Sequence, residues 1–231
     1  MTKTTKVAVV TGGFGQLGQA VVRRLLAEGW HAAVLDAAPL DAFKGERGTL
    51  ALGSVDLSSS SAGRQAMDSV AQQLGRIDAL VNVAGTFRWE TVEAGSAETF
   101  DLLYNTNLRT AVVATQAAIP HLLKQTSSAV VNVGAGAANA RAGTGMAAYT
   151  ASKAGVAKFT ESLADEFKDR GLRVNAVLPS IIDTPANRHD MPDADFSRWV
   201  APDALADVIE FLLSDAARAV TGALLPVTGR V

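Results

Sequence analysis

A chain of 231 residues, 48% hydrophobic and 19% charged, can bury a large core and is too apolar to remain disordered. Its formal net charge of -2 gives no electrostatic reason to bind nucleic acid or an acidic membrane surface. With no cysteine there can be no disulfide, thiol catalysis or thiolate metal site, and His31, His121 and His189 lack ligand spacing, so no metal is expected.

Strand-like and helix-like segments alternate from end to end. Met1 to Lys6 carries no apolar stretch of the kind a secretion signal needs, and Lys6 to Thr11 reads as the first strand. No apolar run is long enough to span a bilayer, so a soluble cytoplasmic protein is expected. A glycine turn leads into a helix over about Gln16–Glu28, followed by strands at His31–Asp36 and Thr49–Val55. The serine cluster Ser58–Ser61 is placed to cap a helix over Ser60–Leu74. Next come a strand at Ala79–Val83, one long helix over Ala97–Lys124 and a strand at Ala129–Val133. A helix over Ala147–Asp169, a strand at Leu172–Leu178, a helix over Pro202–Leu213 and a short strand at Ala223–Val227 complete the chain. The strands are apolar on both faces, as in a parallel sheet covered on each side by helices. The alternation predicts a doubly wound α/β fold with right-handed crossovers, formed as one domain over residues 1–231.

In such a sheet, ligands bind beyond the carboxyl ends of the strands. Thr11-Gly12-Gly13, Asp36, Asp56, Ala84-Gly85, Gly134-Ala135-Gly136 and Pro179 each close a strand, so they should open on one edge. Gly12, Gly15 and Gly18, with Gln16 and Leu17 between them, stand between the first strand and the first helix. There glycine permits close approach to a pyrophosphate, and the helix amino terminus supplies oriented N–H groups. Asp36 can accept hydrogen bonds from both ribose hydroxyls and would repel a 2′-phosphate. Ala37 and Ala38 follow it, with no arginine to receive that phosphate, so NAD(H) is expected rather than NADP. Asp56 and Leu57 are placed to flank the adenine, and Asn82 to Gly85 to pass beside its ribose. Tyr149 and Lys153, four residues apart on a predicted helix, project from one face. An ammonium beside a phenol favours the phenolate, so the pair can move a proton near neutral pH.

Together these pieces resemble the short-chain dehydrogenase/reductase family over nearly the whole length. The matching residues are the glycine turn, Asp56, Asn82-Val83-Ala84-Gly85, Asn107, Tyr149-Thr150-Ala151-Ser152-Lys153, Pro179 and Thr184. The resemblance implies a Rossmann fold with a parallel sheet of seven strands in the order 3-2-1-4-5-6-7. It implies Tyr149 as proton donor, and Lys153 as its modulator and holder of the nicotinamide ribose. It further implies Asn107 as support for a relay water, and Thr184 as a partner of the carboxamide beside Pro179. Residues 180–200 correspond to a substrate lid, and members commonly form homodimers or homotetramers through the helices here spanning about 97–124 and 148–169. The short tail from Pro226 to Val231 is placed to reach a neighbouring subunit.

Two departures narrow the chemistry. The usual Gly-x-x-x-Gly-x-Gly turn has Gln16 at its middle glycine, with Gly15 one residue early. The family's catalytic serine, at the end of the fifth strand about 13 residues before the tyrosine, is absent from Val131-Asn132-Val133-Gly134-Ala135-Gly136-Ala137. Asn139 and Thr144 are near in sequence but not at the strand end. The dihydropteridine reductase branch of the family shares this lack. The resemblance to it lies in the turn, in Ala135 to Tyr149, and in Leu178 to Trp199. It implies NADH-dependent reduction of a small planar molecule with a conjugated C=N bond, such as a quinonoid dihydropterin. Ala135, Trp89 and Trp199 are candidate substrate contacts, the two tryptophans as aromatic walls. A carbonyl or alcohol substrate, or a non-catalytic NAD-binding sensor, are the alternatives.

Overall fold

The protein is described by a computed structural model covering residues 5–139 and 142–231; Met1 to Thr4, Ala140, Arg141 and the side chain of Asn139 lie outside the described residues. Seven parallel strands form one sheet in the order β3-β2-β1-β4-β5-β6-β7. They are β1 (Val7–Thr11), β2 (His31–Leu35), β3 (Leu50–Leu52), β4 (Ala79–Asn82), β5 (Ser128–Val133), β6 (Leu172–Pro179) and β7 (Leu224–Val227). β1 shows why these runs lack polar alternation. Val7 and Val9 enter one core and Ala8 and Val10 the other, so both faces of the strand are buried.

On the Ala8 face lie α1 (Gln16–Ala27) and α8 (Pro202–Leu213), which bring Leu17, Val21 and Leu25 against Leu205, Ile209 and Leu212. On the other face lie α2 (Ser60–Leu74), α4 (Thr110–Leu122) and α6 (Ala147–Phe167), contributing Met67, Val70, Ala118, Leu122, Leu163 and Phe167. Ser59 caps α2 by accepting the Ala62 amide at 3.4 Å, as the serine cluster predicts. Among the described residues no helix is long and apolar enough to cross a membrane.

Three expectations need correction. The third strand is shorter than Thr49–Val55. After Gly53, Ser54 adopts a left-handed φ of 56° and its amide turns to the Ala38 carbonyl, taking the chain out of the sheet. The single helix over Ala97–Lys124 is instead α3 (Ala97–Leu103) and α4, joined by a π-helical segment, Tyr104–Arg109. Periodicity cannot register one extra residue in a turn, and such insertions gather at functional sites. Two short helices, α5 (Gly136–Asn139) and α7 (Pro185–Asp190), were not expected because neither contains enough turns to show a period.

Candidate active site

The register aligns Thr11, Asn82 and Asn132 across β1, β4 and β5. Thr11 Oγ1 accepts the amides of Val83 and Ala84, both at 3.2 Å, tying the ends of β1 and β4 together. Asn82 faces inward: its Nδ2 donates to Thr115 Oγ1 at 3.0 Å and to Asn132 Oδ1 at 2.8 Å. Asn132 in turn donates to Thr160 Oγ1 at 2.8 Å. The Asn82 side chain is therefore a strut beneath the edge, and the chain exposed above it is Ala84-Gly85.

Gly12 leaves β1 at φ +63°, and a Cβ there would stand 2.8 Å from the Ala84 backbone, so conformation and space both require glycine. Gly18 lets α1 close on the turn, since its Cβ would meet the Gly12 carbonyl oxygen. Gly15 begins α1 with extended backbone and no side-chain cap, which leaves the first N–H groups of the helix directed at the edge. Gln16 is exposed there, whereas the Leu17 side chain enters the core and can offer only its amide. Asp36 Oδ2 accepts the Phe14 amide at 3.0 Å and Oδ1 the Ala38 amide at 3.0 Å. The strand-end carboxylate and the glycine turn thus touch directly. Asp56 is exposed at the start of α2, and hydrogen bonds from the Ser58 hydroxyl and amide hold its carboxyl below the usual range. Leu57 is buried in the core.

Tyr149 and Lys153 stand one turn apart at the start of α6. Lys153 Nζ donates to the Val133 carbonyl at 2.8 Å, at the end of β5. Its side chain is buried, with no carboxylate partner among the described residues. A Cβ on Gly85 would lie 3.3 Å from that Nζ and 2.9 Å from Asn107 Oδ1, so the bare backbone of Gly85 makes room for both groups. Burial pulls Lys153 down to about 8 and pushes Tyr149 up to about 12. The expectation that the ammonium depresses the phenol is corrected: desolvation disfavours the charged form of each group and prevails for both. Tyr149 is accordingly a neutral phenol at physiological pH.

Asn107 lies in the π-helical segment, 1% exposed. Its Oδ1 accepts the Thr86 amide at 2.7 Å, and its Nδ2 donates to Ser152 Oγ at 2.9 Å. Ser152 Oγ donates to the Tyr149 carbonyl at 2.7 Å. The irregular turn therefore connects the loop after β4 to the tyrosine helix. At the end of β5, Ala135 is buried, and Gly136 stands at the family serine's spacing from Tyr149. A Cβ on Gly136 would make ordinary contact, 3.4 Å from the Pro179 carbonyl oxygen, so a side chain is missing there without steric cause. Thr144 is exposed on the loop before α6.

The aromatic neighbour of the tyrosine is one that sequence reading missed. The Phe87 ring meets Tyr149 edge-to-face, with centroids 4.9 Å apart at 79°. Trp89 is exposed and covers Gly145, where any Cβ would strike its indole. Trp199 is only 8% exposed and packs on Phe196 at 4.8 Å, so it is a core residue of the 180–200 segment rather than an open wall. In that segment Thr184 caps α7 by accepting the Asn187 amide at 3.2 Å. Arg188 forks onto Asp183 at 2.6 and 2.8 Å and lies over the Phe196 ring. His189 is exposed. The tail folds back on this segment of its own chain: Arg198 donates to the Arg230 carbonyl at 2.6 Å, and Arg230 to the Ser197 carbonyl at 2.6 Å.

A family model described as short chain dehydrogenase matches residues 6–195. The chain belongs to the short-chain dehydrogenase family. Its relatives include 4-formylbenzenesulfonate dehydrogenase of Comamonas testosteroni, 36% identical over 99% of this chain and 98% of that protein. D-threitol dehydrogenase of Mycolicibacterium smegmatis is 33% identical over 97% and 92% of the two chains. Among solved structures, the 3-ketoacyl-(acyl-carrier-protein) reductase of Brucella melitensis complexed with NADH superposes with a TM-score of 0.88. It is 27% identical, over 97% of this chain and 98% of that one. The protein is thus an oxidoreductase of a family that uses a nicotinamide cofactor, and the glycine cradle beside Asp36 fits such a dinucleotide.

Proposed function

We propose that this short-chain dehydrogenase/reductase is NAD(H)-dependent, with Tyr149 as proton donor, and that it reduces a small planar molecule. Supporting the reading above all is Lys153, buried at the Val133 carbonyl one turn from Tyr149 and, among the described residues, without a carboxylate partner. Gly12, Gly15, Gly18 and the first amides of α1, at Gln16 and Leu17, hold the pyrophosphate. Asp36 accepts the adenosine ribose hydroxyls and disfavours a 2′-phosphate. Asp56, Ala84 and Gly85 border the adenosine half; Lys153, Pro179 and Thr184 border the nicotinamide half. When bound, the cofactor supplies a hydride equivalent. Tyr149 delivers the accompanying proton, and its phenolate is stabilised by the Lys153 ammonium, while Asn107 fixes the helix that carries both.

The missing hydroxyl at Gly136 supports a conjugated C=N substrate such as a quinonoid dihydropterin. Protonating a ring nitrogen leaves no isolated alkoxide to stabilise, so one acid suffices. The alternative, a carbonyl or alcohol substrate, is favoured by relatives named as dehydrogenases of aldehydes and polyols. Residues 180–200 act as the substrate lid in either case. Exposed Phe100, Leu102 and Tyr104 support assembly as a homodimer or homotetramer through α3 and the turn after it. The deciding assay follows NADH oxidation with quinonoid dihydropterin beside a panel of aldehydes and ketones. Ketone or aldehyde reduction without pterin reduction removes the first substrate, and wild-type rates in Tyr149→Phe remove the shared mechanism.

A further inference from the structure

Phe87 is a large apolar side chain left 50% exposed, yet the segment bearing it is held at both ends. On one side the Thr86 amide donates to Asn107 Oδ1 at 2.7 Å; on the other, the Glu90 amide donates to the Gly145 carbonyl at 2.9 Å. Both anchors belong to the machinery around Tyr149: one lies in the π-helical segment, the other in the loop that opens α6. Half of the Phe87 surface remains open, fixed beside the Tyr149 ring. Trp89, 62% exposed, extends the aromatic rim toward Gly145. A ring so placed favours a second π system, offset-stacked or edge-on, over a saturated group of equal size.

We propose that Phe87 determines specificity by holding an aromatic or fully conjugated ring that either contains the reduced bond or is attached directly to the carbon that is reduced. The proposal rests on Tyr149 being the proton donor, and it applies to C=N and C=O substrates alike. Two neutral probes of matched shape, benzyl alcohol and cyclohexylmethanol, test it by calorimetry on the full chain saturated with NADH, where neither alcohol can turn over. The expected result is about tenfold tighter binding of benzyl alcohol, a preference lost in Phe87→Ala and kept in Phe87→Tyr. Equal affinity for the two probes, no binding of either, or an unchanged ratio in Phe87→Ala overturns the proposal. NADH affinity and the unfolding midpoint of Phe87→Ala report whether the variant remains folded. Because binding requires no proton transfer, failure of the Tyr149 assignment shows separately, as undiminished turnover in Tyr149→Phe.

Discussion

On the β1–β2–β4 side of the sheet edge, the contacts that shape the edge all end on backbone atoms. Gly12 packs on the Ala84 backbone, Asp36 holds the Phe14 amide, and Thr11 holds the amides of Val83 and Ala84. On the β5–β7 side, side chains also meet one another directly. Asn107 bridges Thr86 and Ser152, Phe87 meets Tyr149, and Arg198 and Arg230 clasp the tail to residues 196–199. The first arrangement suits a constant dinucleotide. The second changes with a few side chains and suits a substrate that differs among relatives.

The largest expected effect is on the substrate side. Tyr149→Phe should lower kcat by roughly 10²–10⁴ while leaving NADH affinity, measured by fluorescence titration, within a factor of two or so. A comparable loss of NADH binding would erase the distinction between the two sides. Gly136→Ser should raise carbonyl reduction by about 10², because a hydroxyl placed there returns an alkoxide donor of the kind worth ~10²–10³. No gain with ketones or aldehydes would mean that the absent side chain does not limit that chemistry. On the cofactor side, Asp36→Ala should reduce the ratio of kcat/KM for NADH over NADPH by about tenfold, roughly one 1.4 kcal/mol step. An unchanged ratio would show that the turn alone selects the cofactor.

The pH dependence should be milder. Lys153, pulled down to about 8, is protonated below that pH and stabilises the Tyr149 phenolate formed as the proton leaves. The rate of reduction should therefore fall as pH rises through about 8. Tyr149, up at about 12, remains a neutral donor throughout that range. The same burial makes folding stability rise with pH between about 8 and 10.5, where the unfolded chain binds more protons at this lysine than the native state does. A flat rate profile across pH 7–9, or no upward slope in the unfolding midpoint, would count against a charged, buried Lys153.

Much of this was legible in the residues. The strand runs, the glycine turn, Asp36 and the Tyr149–Lys153 spacing are local patterns, and local patterns determine which side chains reach the carboxyl edge. The missing serine was legible too, as Gly134-Ala135-Gly136. Phe87 was not. It follows β4 in an irregular loop, where no periodicity tells which residue turns toward Tyr149, so the nearby Trp89 and Trp199 drew attention instead. The π-helical turn around Asn107 was equally hidden, because one inserted residue does not disturb a helical apolar pattern enough to be read.

By itself the sequence determined the fold, the family and the placing of Tyr149 and Lys153 one turn apart on one helix, because period, turn chemistry and helix spacing act over a few residues. Only the tertiary structure decided what surrounds that pair. Burial at the Val133 carbonyl set the titration of Lys153, removal from water raised Tyr149, and the crossing of the β4 loop over α6 put Phe87 on the phenol. Solvation and ring contacts depend on atoms far apart in the chain, and no local pattern records them.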